Sequence, residues 1–337
     1  MLNDRSDLRL SIPSKGRLAE ETIQFLSACG FEIKKSNPRQ YEGTIPSIPG
    51  LTVLFQRPTD IVISLRDGSV DFGFTGLDVL EEFQGHNNDI FVLHEALGYG
   101  KCSLNLAVPE DWLTVNDLDT LKQYAGNLAH PLRIATKFPV LTSRFLKHNH
   151  IAHSIVSAEG TLEIAPAIGY ADMISDLVSS GQTLKDNRLK KLEGCCILSS
   201  QTVLAANYKT LSTDPRAQDV ARQLLEFIEA YLRAENNVSI YANIRGDSTD
   251  VIATRIFEQQ TIGGLNGPTI SKIIRRDGDP SWYALHIIVH RDEVFNAIKE
   301  LRSIGGSGVV VTPVTYIFEE EPPRYKAMLK KLKIKQG

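Results

Sequence analysis

The sequence is poor in the features that would build a disulfide scaffold, a membrane protein or a general nucleic-acid binder. Four cysteines, Cys29, Cys102, Cys195 and Cys196, are too few for a covalent framework in 337 residues. Cys195 and Cys196 adjoin in the apolar run GCCIL, and neighbouring strand residues face opposite sides of a sheet. A simple bridge or a shared metal is thereby excluded there. All four read as small apolar residues in a reducing compartment. No apolar run approaches the roughly 20 residues that a spanning helix needs, so no membrane association is expected. The opening MLNDRSDLRLSIPSKGRL is charged and has no apolar centre of the secretory kind. The expectation is a cytoplasmic protein, or an organelle-lumen protein whose targeting segment has been removed. A formal net charge of -3 lacks the basic excess of a nucleic-acid or membrane-surface binder. There is no sequence repeat, no low-complexity tract, no H-E-x-x-H or C-x-x-C, and no persuasive Ser-His-Asp or Cys-His set.

What is present is a soluble globular composition, 42% hydrophobic and 23% charged, on a chain too long for one ordinary core. LRLSIPS (8–14) alternates like a strand, and GRLAEETIQFLSACGF (16–31) has helical spacing with Gly30 as a stop. LTVLFQ, DFGFTG, IFVLHEAL and CSLNLAVP read as further strands, with helices at PTDIVISLRDG, begun by Pro58, and GLDVLEEF. A second unit follows: LRIATK, HSIVSA and MISDLV as strands, PVLTSRFLKHNHI and EIAPAIGYA as helices. KLEGCCILSSQTVLAAN reads as strand material returning to the first unit. Asp214 and Pro215 open a helix that runs to about Glu235. This alternation predicts α/β architecture with largely parallel sheets. NPRQYEGTIPSIPG (37–50) reads as a loop.

The last hundred or so residues change rhythm. VSIYANIR, PTISKIIRR, WYALHIIVH and GVVVTPVTYIF alternate with helices at TDVIATRIFEQQ and RDEVFNAIKELRSIG. The order βαββαβ is that of a ferredoxin-like domain. The expected domains are lobe I at 1–107 and 196–235, lobe II at 108–195, a third domain at 236–325, and a basic tail at 326–337 that reads as a solvated helix or frayed terminus.

The densest polar stretch is DLVSSGQTL (176–184). A phosphate fits a helix N-terminus, where backbone N–H groups are unpaired. Gly181 lets the backbone approach an anion, and the hydroxyls of Ser180 and Thr183 donate to phosphate oxygens. Asp176 cannot hold a phosphate but can accept from ribose hydroxyls. An acid followed by an anion-binding turn is what a ribose 5-phosphate needs. The competing reading of these residues alone is a hydroxyl that merely caps a helix.

The full stretch EIAPAIGYADMISDLVSSGQTL (163–184) resembles, without mismatch, the signature of the ATP phosphoribosyltransferases: an acid, five residues, Gly, one residue, a small residue, two residues, Ile or Val, one residue, Asp, an aliphatic, two residues, Ser or Thr, Gly, one residue, Thr, and Leu or Met. IPSKGRL (12–18) is similar to the family's K-x-G-R-L opening, with Lys15 directly before Gly16 and with Ser14 where a direct Pro-Lys-Gly is common in some members. VDFGFTGLDVL is similar to its D-x-G-x-x-G-x-D segment through Asp71, Gly73, Gly76 and Asp78, and LRIATKFP to its R-I-A-T-K-Y/F-P turn. PTIS and IGGSGVVVTPV resemble the regulatory domain of the long form; GDPSWYA and the segment after Phe318 do not match closely.

The resemblance implies a two-lobed, periplasmic-binding-protein-like α/β body with a ferredoxin-like regulatory domain. It also implies a reaction in which N1 of ATP attacks C1′ of 5-phosphoribosyl 1-pyrophosphate (PRPP) and releases pyrophosphate, the first step of histidine biosynthesis. On this basis Asp176, Glu163, Arg17 and Arg57 are the candidate catalytic residues. PRPP would be held by Asp176, Ser179, Ser180, Gly181, Gln182, Thr183 and Lys137, and nucleotide by Lys15, Gly16, Arg17, Arg57, Thr75 and Gly76. Mg²⁺ would be held mostly through substrate pyrophosphate, with Glu163 and Asp176 as candidate ligands. Histidine is the implied inhibitor, with Thr269 and Ser271 as candidate contacts. The long form further implies a homo-oligomer, a hexamer built from dimers, with no separate regulatory subunit. N1 of adenine already carries a lone pair, so the chemistry asks for positioning and charge rather than a general base. Asp60, Asp71 and Asp78 also read as helix caps. Two other classes share the two-lobed plan: a solute-binding module without catalysis, and an inactive assembly partner. The missing signal segment and the loop at 176–183 argue against the first, and intact Arg17 and Arg57 against the second.

Overall fold

The protein is described from a computed structural model, which covers residues 7–333 apart from 38, 86, 158–159, 180, 275 and 277–280. The chain divides into two compact units, residues 1–221 with 327–337, and residues 222–326.

The first unit holds two sheets. The first is built from β1 (Leu8–Pro13), β2 (Glu42–Thr44), β3 (Leu51–Gln56), β4 (Phe72–Gly76) and β5 (Ile90–His94), with α1 (Arg17–Ala28), α2 (Pro58–Asp67) and α3 (Leu77–Phe83) between them. The second is built from β6 (Cys102–Pro109), β7 (Leu132–Thr136), β8 (His153–Ser157), β9 (Met173–Val178) and β10 (Leu189–Ser200), with α4 (Leu118–Gly126), α5 (Pro139–His148) and α6 (Gln182–Asp186). The chain then returns to the first sheet as β11 (Thr202–Asn207), followed by α7 (Tyr208–Thr213) and α8 (Pro215–Glu235), which runs on into the second unit. Strand order is β2-β3-β1-β4-β11-β5 in one sheet and β10-β6-β9-β7-β8 in the other.

Apolar periodicity explains the layers. Leu10, Ile12, Val53, Phe72 and Phe74 are buried along the first sheet, and α2 closes one face with Ile61 and Leu65. Close approach demands glycine at Gly73, where a Cβ would lie 2.6 Å from Ile61 Cγ2. α2 ends at Gly68 in the left-handed region (φ 74), the conformation that only glycine adopts cheaply. Leu106, Ile134, Leu146 and Met173 fill the second core. Cys195 is buried and its thiol is pushed up to about 11 by burial, whereas Cys196 is exposed, the two-face alternation expected of that run.

The second unit contains β12 (Asn237–Arg245), α9 (Thr249–Phe257), β13 (Thr269–Lys272), β14 (Trp282–His290), α10 (Val294–Ser303) and β15 (Ser307–Pro313). Their sheet order is β13-β14-β12-β15, every neighbouring pair antiparallel. Ile240, Ile244, Leu285, Ile287, Ile252 and Leu301 form its core. This is the expected βαββαβ sandwich.

Several local expectations differ from the structure. The sheets are mixed rather than largely parallel. β1 pairs in parallel with β3 and β4, and β7 with β8 and β9, but β2, β5, β6, β10 and β11 join antiparallel. By strand pairing, β6 and all of β10 belong to the second sheet, so the chain crosses near 95–101 and at Gln201 rather than at 107 and 196. Gln201 breaks the single expected strand in two. The expected helix EIAPAIGYA is a run of turns; Pro166 has no N–H to give, and Gly169 sits at φ 81. α4, α7 and β2 were not expected at all. The expected solvated tail is α11 (Pro323–Leu332), with Met328 and Leu329 buried, because its apolar residues share one face. Asp71 does not cap a helix; its Oδ2 accepts from Arg9 N at 2.8 Å.

Two lobes of one unit need a fixed relation, and a buried acid supplies part of it. Glu82 of α3 is 6% exposed. Its Oε1 accepts from Val140 N at 2.8 Å and its Oε2 from Leu141 N at 2.9 Å, both in the first turn of α5. Burial raises this carboxyl above its ordinary value, against the pull of those two N–H groups. Glu82→Gln places an NH₂ against a backbone N–H and is expected to cost about 1–3 kcal/mol near pH 7, measured by urea unfolding. The folded pKa is the raised one, so the group's contribution is full below its unfolded value and is lost as pH rises through the folded value. The stability gap between wild type and variant is therefore expected to be wider at about pH 4 than at about pH 7; an equal gap would sink the assignment.

Candidate active site between the two sheets

The loops that leave the parallel strands converge in the manner of open α/β sheets, whose ligands lie outside the strands' carboxyl ends. After β1 come Lys15, Gly16 and Arg17. Gly16 has φ 76 and ψ −177, a backbone that strains any other residue. Arg17 opens α1, exposed, with its Nε 3.6 Å from Glu21 Oε1. Arg57 follows β3, exposed, and receives Ile61 N on its carbonyl at 3.0 Å as α2 starts. Thr75 and Gly76 end β4 and are both buried. A Cβ on Gly76 would collide with Asp78 Oδ1. Asp78 cannot yield easily, because Ser200 Oγ donates to its Oδ1 at 2.5 Å and accepts from its N at 3.0 Å. Asp78 thus ties β4's loop to the end of β10 instead of capping α3.

In the second lobe, Asp176 stands half-buried on β9, across from Asn105 of β6. Its Oδ1 accepts from Leu177 N at 2.8 Å. Burial raises the Asp176 carboxyl above its ordinary value; the Leu177 N–H and the charge of Lys137 oppose this, and the charge of Glu163 adds to it. Lys137, at the end of β7, and Glu163 are therefore within electrostatic reach of Asp176. Gly181, at φ 76, precedes α6, which is only five residues long. Gln182 Nε2 donates to Asp186 Oδ1 at 2.7 Å, and Thr183 O accepts from Asn187 Nδ2 at 2.9 Å. Ser180 lies outside the described residues.

Beneath this acid is a buried hydroxyl chain that sequence reasoning missed. Thr142 Oγ1 donates to Ser175 Oγ at 2.8 Å, Thr136 Oγ1 lies 3.4 Å from Thr142 Oγ1, and Phe138 N donates to Thr136 Oγ1 at 2.9 Å. It locks the ends of β7 and β9 to α5. No local pattern separates these hydroxyls from surface ones. Glu82 and Ser200 were missed for the same reason.

A cleft of about 290 Å³ is lined by Arg17, Gly76 and Asp78 from one lobe and by Cys102, Leu177 and Ser179 from the other. Asp176, Lys15, Gly16, Arg57, Thr75, Lys137, Gly181, Gln182 and Thr183 are not among its lining residues. Gly181 lines, with Ser179, Lys185 and Lys190, a second hollow of about 320 Å³. Glu163 instead lines a larger hollow of about 630 Å³ with Arg133 and Asp172, at the start of β7 and β9. There Arg133 Nη2 meets Asp172 Oδ1 at 2.6 Å. Thr269 and Ser271 are exposed on β13, a sheet-edge strand of the second unit. Among the described residues no group of three or more metal-ligating side chains occurs, and no helix is long and apolar enough to cross a membrane.

Two family models match the chain. That for ATP phosphoribosyltransferase matches residues 57–230, and that for its C-terminal domain matches residues 234–316. The chloroplastic ATP phosphoribosyltransferase 1 of Arabidopsis thaliana is 43% identical over 98% of this chain and 82% of its own length. The chain belongs to the ATP phosphoribosyltransferase family. The corresponding enzyme of Methanocaldococcus jannaschii is 32% identical over 92% of this chain and 99% of its own. Among solved structures, a chain of the Thermotoga maritima ATP phosphoribosyl transferase (HisG:HisZ) complex is 27% identical with a TM-score of 0.51, covering 66% of this chain and 98% of that one.

As an ATP phosphoribosyltransferase the chain is a pentosyltransferase that joins ATP to PRPP in the first step of histidine biosynthesis. The family works with a divalent metal ion. Asp176 and Glu163 are two carboxylates within electrostatic reach of each other, although Glu163 lines a separate hollow. Two are few for an all-protein cage, but they suit an ion that keeps most of its ligands as water and phosphate oxygens.

Gly76→Ala pushes a methyl into the Asp78–Ser200 pair. The expected cost is about 1–3 kcal/mol, seen as a lowered melting temperature; an unchanged melting temperature would show that Asp78 yields freely.

Proposed function

We propose that the cleft brings the two substrates face to face, nucleotide on the Lys15–Arg17, Arg57 and Thr75–Gly76 loops and PRPP on the Asp176–Thr183 loop. The observation that carries this reading is that Arg17 and Gly76 share one cleft with Ser179 although they come from different sheets. Asp176 accepts from the ribose hydroxyls, and its negative charge favours the positive ring that develops as pyrophosphate departs. Ser179, Gly181 and Thr183, with Ser180 and Gln182, surround the 5-phosphate with N–H and O–H donors. Lys137 balances charge beside Asp176. Arg17, Arg57 and Lys15 meet the phosphates of ATP and the pyrophosphate. Holding both substrates in line supplies roughly 7–11 kcal/mol toward the barrier, and N1 needs no base. Mg²⁺ is the divalent ion of this reading; bound through substrate oxygens beside Asp176 and Glu163, it supplies charge neutralisation.

The domain at 236–325 takes the regulatory role. Histidine is its effector, met by Thr269 and Ser271, and inhibits by binding two states of a homohexamer, built from dimers, with different affinities. The Thermotoga chain belongs to a HisG:HisZ complex of two components, whereas this chain carries the C-terminal domain itself and needs no separate regulatory subunit. The cytoplasm is the proposed location. An organelle lumen is favoured instead by one observation, that the Arabidopsis relatives are chloroplastic.

The test follows phosphoribosyl-ATP by ultraviolet absorbance with ATP, PRPP, Mg²⁺ and pyrophosphatase. Asp176→Asn is expected to keep the fold and to lower kcat/KM by about 10- to 100-fold, the scale of one lost hydrogen bond to a charged group. Unchanged turnover and PRPP affinity would remove Asp176 from the site. Added histidine is expected to suppress the wild-type rate; an unaffected rate would discard the effector reading.

A further inference from the structure

Glu21 lies one turn beyond Arg17 on α1 and lines the cleft beside Leu18, Pro58, Val79 and Gly76. Its Oε1 is 3.6 Å from Arg17 Nε. Its Oε2 is buried and has no hydrogen-bond partner among the described residues. A carboxylate oxygen taken out of water without a donor is destabilising, and such an atom in a native protein calls for a physical reason. A ligand that brings the donor is one.

The ligands of this cleft narrow the choice. Phosphate oxygens are acceptors and carry the wrong charge; ribose hydroxyls can donate, but the side chains beside Glu21 favour a base over a sugar. The walls formed by Leu18, Pro58 and Val79 are apolar and suit the flat face of a base. In ATP, the base has its N–H donors on one atom, the exocyclic N6 amino group, which adjoins the reacting N1. The geometry points to Glu21 as the residue that reads the adenine N6 amino group, and so as a determinant of base specificity. This rests on the reading that the cleft holds the nucleotide. A carboxylate there would repel the exocyclic carbonyl oxygen that inosine and guanine nucleotides present at that position. It would also hold N1 in place through its neighbour, which ties recognition to reactivity.

Inosine and guanine nucleotides cannot test this, because their N1 carries a proton and has no free lone pair to attack. Purine riboside triphosphate can: it keeps the N1 lone pair and lacks only the amino group. Initial rates with ATP and with this analogue are compared at saturating PRPP, and PRPP is varied at saturating ATP, for wild type, Glu21→Ala and Glu21→Gln, with folding checked by thermal melting. Wild type is expected to prefer ATP. Glu21→Ala is expected to lower kcat/KM for ATP by roughly 10- to 100-fold while leaving that for the analogue unchanged, so the preference collapses. Glu21→Gln, whose amide oxygen still accepts, is expected to keep most of the preference. Equal losses for both nucleotides, a raised KM for PRPP alone, or a wild type without preference would each overturn the assignment. If the alanine variant does not fold, Glu21→Met, of similar length and without an acceptor, takes its place. A wild type that converts neither nucleotide would overturn the nucleotide reading itself, a failure distinct from those of Glu21.

Discussion

The two carboxylate oxygens of Glu82 carry much of what the site requires. They accept from Val140 N and Leu141 N, N–H groups that the first turn of an α-helix leaves without partners of its own. The acid loses hydration when buried, and charge-assisted hydrogen bonds to a helix N-terminus offset that cost. α3 starts immediately after Gly76, and α5 starts two residues after Lys137. One side chain thus holds the helix that leaves the Thr75–Gly76 strand end against the helix that follows Lys137. The alignment of the two halves of the cleft depends on that bond pair, together with the Asp78–Ser200 tie between the strands.

The chemistry gains from this economy of means. An attacking nitrogen with its own lone pair needs no base, so the active site can consist of charges, hydroxyls and backbone N–H groups at strand ends. Such groups act by being held in place before the reaction starts. The buried chain Thr136, Thr142 and Ser175 holds the floor under Asp176. The left-handed Gly16 and Gly181 shape the two loops with no side chain to obstruct them. Asp176 itself sits where burial raises its carboxyl above its ordinary value.

Much of this was legible in the chain. LRLSIPS (8–14) is legible as a strand from alternation, and LTVLFQ, DFGFTG and MISDLV also read as strands. Helices follow from apolar spacing with Pro58, Pro139 and Pro215 near their starts, and the βαββαβ order of the second unit from its rhythm. Those features are local, and local backbone preference and side-chain period decide them. The turn run at 163–169 was misread as helix because apolar spacing outweighed Pro166 and Gly169. The assignment of β10 to the second sheet was missed because a strand's partner is chosen by pairing across the fold. α11 was undervalued because its basic residues hid a small apolar face.

The sequence by itself determined that this is an ATP phosphoribosyltransferase, since the 163–184 signature is a contiguous run whose residue types answer to one substrate. It also marked the loops at 15–17, 57, 75–76 and 176–183 as the candidates for holding anions. Only the tertiary structure decided which of those loops meet: Arg17 and Gly76 with Ser179, but Glu163 on a separate hollow with Arg133 and Asp172. It alone located the partners that hold them, Glu82 with α5 and Asp78 with Ser200. The physical reason is range. Propensity and pattern act over a few neighbouring residues, whereas a buried carboxylate's worth depends on donors 58 to 122 positions away in the chain.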